Sequence, residues 1–429
     1  MAQQLFFSRD TKVYIKKGNF VWDLPVLDGF SFSQATNSSE ITLAEMEATG
    51  GVSRRGRKQF NDSLAPAEWS FSTYVRPFTS AGSGTGAADS AAKVHAIEEI
   101  LWALFSGPAT YASNAFTNQT SHSTDTAVGL GIDFSESNKA TLGTADIFFV
   151  LGDANRKVYK LKDCVVNEAS IDFDIDGIAT INWSGMSSEI IDMTLDTHTT
   201  AASGSVFPPA YNATNAASAA IAAGDPVLNA TDGHRLSVVV DPTSSGTATM
   251  TGAIYESTTA TDNFIRNRLT QLSVVPTSGT SYIGSLESAG YDITLTGGNI
   301  TMSNNVTFIT PEEIGLVNTP IGHVTGTRSI SGSMNCYLSK DTAATDNSAD
   351  LWEDLKSITS VVTNSFALVF KIGGATASTA RLEVNMPTCH LEIPTHSIED
   401  VISVETAFNA LPSTIDGTNE VTLKYLPKV

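Results

Sequence analysis

Gly29–Thr42 (GFSFSQATNSSEIT) and Gly298–Thr310 (GNITMSNNVTFIT) decide the fold, because one pattern occurs twice in a single chain. In each stretch apolar and polar residues alternate, as a strand with one buried and one solvated face requires, and a polar loop follows. Outward from these stretches the order of elements repeats. Glu68–Val75 and Arg328–Leu338 are second alternating strands, reached through glycine-containing loops. One helix per unit comes next, His95–Phe105 and Asp350–Ile358, with apolar residues at helical spacing; Gly107 and Pro108 stop the first. Each unit closes with an apolar strand, Ala145–Leu151 or Phe366–Ile372, and a cysteine-bearing pair of strands, Tyr159–Trp183 or Leu382–Phe408. The repeat predicts an all-β dominated fold of two tandem β-sandwich or half-barrel domains, each covered by one helix. The expected domains are residues 1–196 and 269–429, separated at 197–268 by an insertion or linker. Its 197–262 portion is rich in Ala, Thr, Ser, Gly and Asn and reads as a surface excursion, within which Arg235–Val240 and Ala248–Tyr255 form a possible small hairpin.

Charged residues make up only 16% of the 429-residue chain, and the formal net charge is −20. A protein that grips nucleic acid needs Lys and Arg to displace counterions from phosphates, so that class is disfavoured, whereas an acidic surface fits solubility or repulsion of DNA. Cys164, Cys336 and Cys389 form no C-x-x-C pair and suggest neither a disulfide framework nor a zinc site, which fits folding in a reducing cytoplasm. The N-terminus lacks a signal-peptide pattern, and no run of about 18 apolar residues exists. An outer-membrane porin-like barrel would need that signal together with aromatic girdles. A carbohydrate-binding or adhesive sandwich would be expected to gather aromatics in one loop group. Trp22, Trp69, Trp102, Trp183 and Trp352 instead fall mostly on predicted strands and helices, where core packing explains them.

Two clusters stand out as candidate functional residues. Along Ile171–Asp176 the alternation sends Ile171, Phe173 and Ile175 to one face and Asp172, Asp174 and Asp176 to the other. The acidic face fits either a channel lining that repels DNA or a solvated or subunit-contact surface. Arg54, Arg55, Arg57 and Lys58 form the densest basic cluster, in a glycine-flanked loop after Glu40, Glu45 and Glu47. Docking on an acidic neighbouring subunit or ring is the preferred reading, ahead of a solvated loop or a DNA contact. Gly82–Gly86 lacks the Lys-Ser/Thr of a phosphate loop and reads as a flexible connection. Cys389 and His390 are strand neighbours on opposite faces, and with His396 they supply no useful metal spacing. The Asn212 and Asn229 triplets match the glycosylation pattern, which means little without a secretory route. No catalytic triad, paired-carboxylate motif or cofactor site is read.

Segment by segment, the chain resembles the tail tube (major tail) proteins of long-tailed phages, in particular the duplicated kind of tequintavirus-like siphophages. Arg55–Tyr74 and Ile181–Gly185 carry the resemblance in the first unit, Thr296–Pro311 and Pro320–Gly326 in the second. It covers nearly the whole chain outside 197–262. It implies a structural virion protein, assembled in the host cytoplasm, whose duplicated chains form trimeric, pseudo-hexameric rings with inner sheets joined into one barrel. Stacked rings would make the channel for DNA ejection, with double-stranded DNA passing through without specific binding. Implied partners are further copies of the chain and the tape measure, tail terminator and tail tip proteins, with no cofactor and no membrane insertion.

Overall fold

The computed structural model describes every residue except 1–4, 18–19, 43–46, 49–51, 54–56, 80–93, 107–128, 135–141, 153–156, 193–233, 241–248, 256–262, 277–289, 315, 341–346, 358–364, 377, 399, 416 and 429. In chain order the strands that build the fold are β1 (Lys12–Lys17), β2 (Phe20–Leu24), β3 (Ser31–Ser33), β4 (Thr36–Thr42), β5 (Arg57–Leu64), β6 (Ala67–Tyr74), β7 (Ala145–Leu151), β8 (Lys157–Asp174) and β9 (Thr180–Ser187). They continue with β10 (Gln271–Pro276), β11 (Leu295–Ser303), β12 (Ser329–Tyr337), β13 (Phe366–Ile372), β14 (Arg381–Leu391), β15 (Thr395–Ile398), β16 (Ile402–Ala410) and β17 (Thr422–Leu426). The helices are α1 (Glu99–Ser106) and α2 (Ser348–Ser357).

Eight strands form one antiparallel layer in the order β3-β6-β9-β8-β11-β12-β16-β15. Behind it, β2-β1-β7 and the first part of β8 form a second layer in the first half. In the second half, β10-β13-β14-β17 do the same. The 18-residue β8 belongs to both layers. It crosses between them at Asp163, whose φ of 52° lies in the left-handed region that a short polar residue tolerates. The duplication is visible in detail at the cysteines. Cys164 and Cys389 each sit opposite a register shift, facing Ala145 and Phe366, and each thiol donates to the carbonyl three residues back, at 3.3 and 3.8 Å.

The two tandem units share one sheet: β8 and β11 pair from Glu168↔Ser303 to Asp174↔Gly297, so the polar-faced layer runs through both halves over one apolar core. Three sequence expectations change. The strand read across Gly29–Thr42 breaks after Ser33, and β4 leaves to pair with β5 in a separate hairpin. The first helix begins at Glu99 rather than His95, because Val94–Ala96 is zipped to Pro77–Thr79 and the Glu99 carboxylate reaches back to the Ala96 amide at 3.3 Å. Ile175 is 46% exposed instead of facing the core, because β8 ends at Asp174 and the chain then bends.

The large aromatics fill the space between layers and find partners for their polar atoms, as burial demands. Trp102 packs edge-on against Trp183 with centroids 4.7 Å apart, and Trp183 Nε1 donates to Thr73 at 3.0 Å. Every residue of α1 is buried, so the helix is core on all sides. It is tied to the last strand by a chain of bonds: Trp102 Nε1 donates to the Tyr425 hydroxyl at 2.7 Å, which donates to Glu98 at 2.6 Å. The same terminal strand, β17, lies between β14 and Leu130–Asp133, so it links both halves.

Burial pushes the Glu98 carboxyl up to about 8, against the lowering effects of the Tyr425 bond and the Arg76 charge. A raised folded-state value means that this group's contribution is full below its ordinary value near 4.5 and is lost as the pH climbs through about 8. Glu98→Gln keeps an oxygen for Tyr425 and removes the titration. Melting temperatures of the wild type should therefore fall relative to those of the variant between pH 5 and pH 9; parallel curves would contradict this reading.

Candidate channel face and open sheet edges

Antiparallel pairing places directly opposed residues on the same face, so registers alone define the surface of the eight-stranded layer. One row reads Ser31, Ser70, Ser184, Glu168, Ser303, Ser329. The next reads Ser72, Asn182, Ser170, Thr301, Ser331, Asn409, His390. A third contains Tyr74, Thr180, Asp172, Asn299, Ser333 and Ala407, and a fourth Asp174, Gly297, Asn335, Glu405 and Thr395. These side chains bond to each other across strands. Ser31 and Ser70 hydroxyls are 2.8 Å apart, Ser72 donates to Asn182 at 2.6 Å, Asn182 donates to Asp172 at 2.9 Å, and Ser170 and Thr301 hydroxyls meet at 3.3 Å across the seam between the halves.

The charge on this face has one sign. Glu68, Glu168, Asp172, Asp174 and Glu405 lie on it, while β3, β6, β9, β11, β12, β15, β16 and the Glu168–Asp174 part of β8 contain no Lys or Arg. Lysines sit in the other layer and are paired there: Lys157 with Asp192 at 3.2 Å, Lys160 with Asp146 at 2.8 Å and Lys162 with Glu189 at 3.4 Å. The opposite side of the eight-stranded layer is apolar, with Trp69, Phe71, Ile171, Phe173, Ile300 and Met334 all buried. Two of the three sequence-predicted aspartates therefore belong to a larger acidic face. Asp176 lies past the strand end, 3.6 Å from Arg268.

The layer has two open ends. Among the described residues β3 pairs only with β6, and β15 only with β16. The basic cluster is divided. Arg57 and Lys58 stand exposed on β5, Arg57 lying 3.5 Å from Glu40, whereas Arg54 and Arg55 lie outside the described residues, as do Gly82–Gly86, Asn212 and Asn229. In the 197–268 region, His234–Val240 and Thr249–Tyr255 pair with each other, and the former also pairs with β2.

Among the described residues no group of three His, Cys, Asp or Glu is placed to hold a metal. Cys389 is buried while His390 is exposed. Burial pushes the Cys336 and Cys389 thiols up to about 11 and 12, and that of Cys164 well above its ordinary value, so all three resist reaction. Among the described residues no helix is long and apolar enough to cross a membrane.

No protein-family model matches the chain. It is 26% identical to the tail tube protein pb6 of Escherichia phage T5, over 436 aligned residues that cover 100% of this chain and 77% of that protein. That similarity supports a phage tail tube protein of the tequintavirus kind. The relative is a tail tube protein, and the similarity supports a structural component of a virion tail for this chain rather than an enzyme. Its mostly β architecture agrees with this role, and a tube implies assembly of many copies together with other tail proteins. Sequence reading missed the breadth of the polar face. Ser, Thr and Asn alternation in β11 and β12 looks like any solvated strand until the registers align it with the aspartates of β8.

Proposed function

We propose that the chain closes into a ring of three copies, that its eight-stranded layer becomes the inner wall, and that rings stack into the channel through which the genome leaves. The two tube units correspond to residues 1–196 and 269–429, joined at the β8·β11 seam. One observation carries the reading: a polar face eight strands wide that is acidic, free of Lys and Arg, and backed by an apolar core. A wall that passes double-stranded DNA must not hold phosphates, and carboxylates with small hydroxyls and amides provide no counter-charge to trap them. The open edges at β3 and β15 support closure, because unpaired strand edges in an abundant protein must be paired or covered. Head-to-tail stacking of such rings repeats a single heterologous contact into a filament. The tape measure protein would occupy this channel, with terminator and tip proteins at its ends. Negative-stain microscopy and solution mass of the purified protein test this: three-chain rings or tubes are expected, and a monomer at high concentration would refute it.

The exposed β4–β5 hairpin and its basic residues are assigned to contacts between neighbouring subunits or rings. Replacing Arg54, Arg55, Arg57 and Lys58 by glutamine should leave rings intact, shorten the tubes and flatten the salt dependence of stacking. Tube length and salt response identical to those of the wild type would remove the assignment.

A further inference from the structure

The last strand of the chain, β17, is built into both halves. We propose that it is a completion strand: the first half's core around α1 closes only when the terminal segment Glu420–Lys428 has paired in, so that copies become fit to assemble only from chains made to their end. The folding part of this goes beyond the ring reading and stands apart from it; the consequence for assembly rests on that reading.

The first half is shaped to receive β17. Leu130–Asp133 pairs along its length with Thr422–Tyr425, and Leu130 and Ile132 are wholly buried there. Gly129 leaves the room: a Cβ at that position would stand 2.7 Å from Leu426 Cδ2 and 2.9 Å from the Tyr425 carbonyl oxygen. Deeper in, the Tyr425 hydroxyl joins the Trp102 indole to the Glu98 carboxyl. Without β17 both buried groups would lose this partner, and a buried polar group deprived of its hydrogen bond is costly. Two further ties flank the strand. Glu420 holds Arg328 at 2.7 Å, and the Arg328 guanidinium lies 5.2 Å from the centroid of Phe134 in the first half. The Lys428 amide donates to Asn263 at 3.2 Å. On its other edge β17 pairs with β14, from Arg381↔Leu426 to Asn385↔Thr422. Val421, Leu423, Tyr425 and Leu426 are all at most 1% exposed, so the segment is core to both halves and not a surface trimming.

Sequence separation gives the arrangement its use. Leu130–Asp133 is synthesised roughly 15–60 s before Thr422–Tyr425, at about 5–20 residues per second. A first half that folded in that interval would offer the Glu168–Asp174 edge of β8 to sister chains, and an uncovered strand edge is a template for another strand. Dependence on β17 defers that edge until β11 is present to cover it.

Refolding of the full chain from denaturant, sampled by pulsed hydrogen exchange and mass spectrometry, tests the order. Amides of α1 and Leu130–Asp133 should become protected in the same phase as those of β17, and scattering from growing tubes should begin only after that phase. Tyr425→Phe keeps the ring in the core but removes the hydroxyl between Trp102 and Glu98. In the native state of this variant the α1 amides should exchange about tenfold faster or more, together with those of β17. Gly129→Ala, a change in the first half, should speed exchange at Arg381–Asn385 of β14, because the added methyl presses on β17. Protection of α1 before β17 would overturn the proposal, as would α1 exchange at the wild-type rate in Tyr425→Phe while β17 loosens. Tubes that grow before β17 is protected would overturn its assembly part. If Tyr425→Phe fails to fold, or speeds exchange equally in every strand, the refolding order of the unaltered chain decides. A chain that refolds in the expected order yet forms neither rings nor tubes would sink the ring reading and leave the completion strand standing.

Discussion

Replacing Gly332 by valine is expected to destabilise the folded protein severely. Gly332 lies in the middle of β12 with β11 and β16 on either side, on the face that packs into the core. A Cβ there would stand 2.1 Å from the Asn299 carbonyl oxygen and 2.6 Å from the Phe408 ring. The first clash is with backbone of the neighbouring strand, which no side-chain rotation relieves, so the strands must separate or Phe408 must leave the core. Overpacking typically costs about 1–3 kcal/mol, and this case should fall at or above the upper end. Gly322, with open space around its would-be Cβ, provides the control: Gly322→Ala should change stability by no more than about 0.5 kcal/mol. Denaturant midpoints of the two variants check both statements, and equal midpoints would contradict the packing account.

The second large effect concerns the acidic face. Lysines at Glu168, Asp172 and Asp174 should leave tube assembly intact, because all three side chains lie on the solvated face and their changes leave the core untouched. Genome ejection should slow severely. A lysine 4 Å from a phosphate gains about 1 kcal/mol even in water, and each copy along the tube repeats the contact. A delay of about tenfold or more is expected, corresponding to little more than one such contact retained in the rate-limiting barrier. Added salt should relieve the delay, since phosphate contacts weaken as counterions compete. Ejection at wild-type speed from correctly built tails would exclude this face as the DNA wall.

Much of this was legible in the residues. The spans read as Ala145–Leu151 and Phe366–Ile372 coincide with β7 and β13, where a short apolar run between polar loops has few alternatives. The second alternating strand, read at Glu68–Val75, is displaced from β6 by one residue at each end. What alternation conveys is which face a side chain takes, not which strand lies beside it. The pairing of Asp172 with Asn299 joins residues far apart in the sequence, and no local pattern in either strand names the other. For the same reason the joining of β17 to Leu130–Asp133 was invisible. Ile175 was misplaced because the period of two continues in the sequence past the point where the strand stops. His95 and Ala96 were absorbed into a helix because the apolar spacing from there fits one, while the strand they belong to pairs with Pro77–Thr79, which is not adjacent in the sequence.

A reconstruction by electron cryomicroscopy of tubes formed by the unaltered chain tests the central claim most directly. The account predicts three chains per ring, with Ser170, Asp172, Thr301 and Ser331 facing an open axial channel. A ring whose axis is lined instead by the lysine-bearing layer of β1 and the first part of β8, or a chain that forms no ring at all, would contradict it.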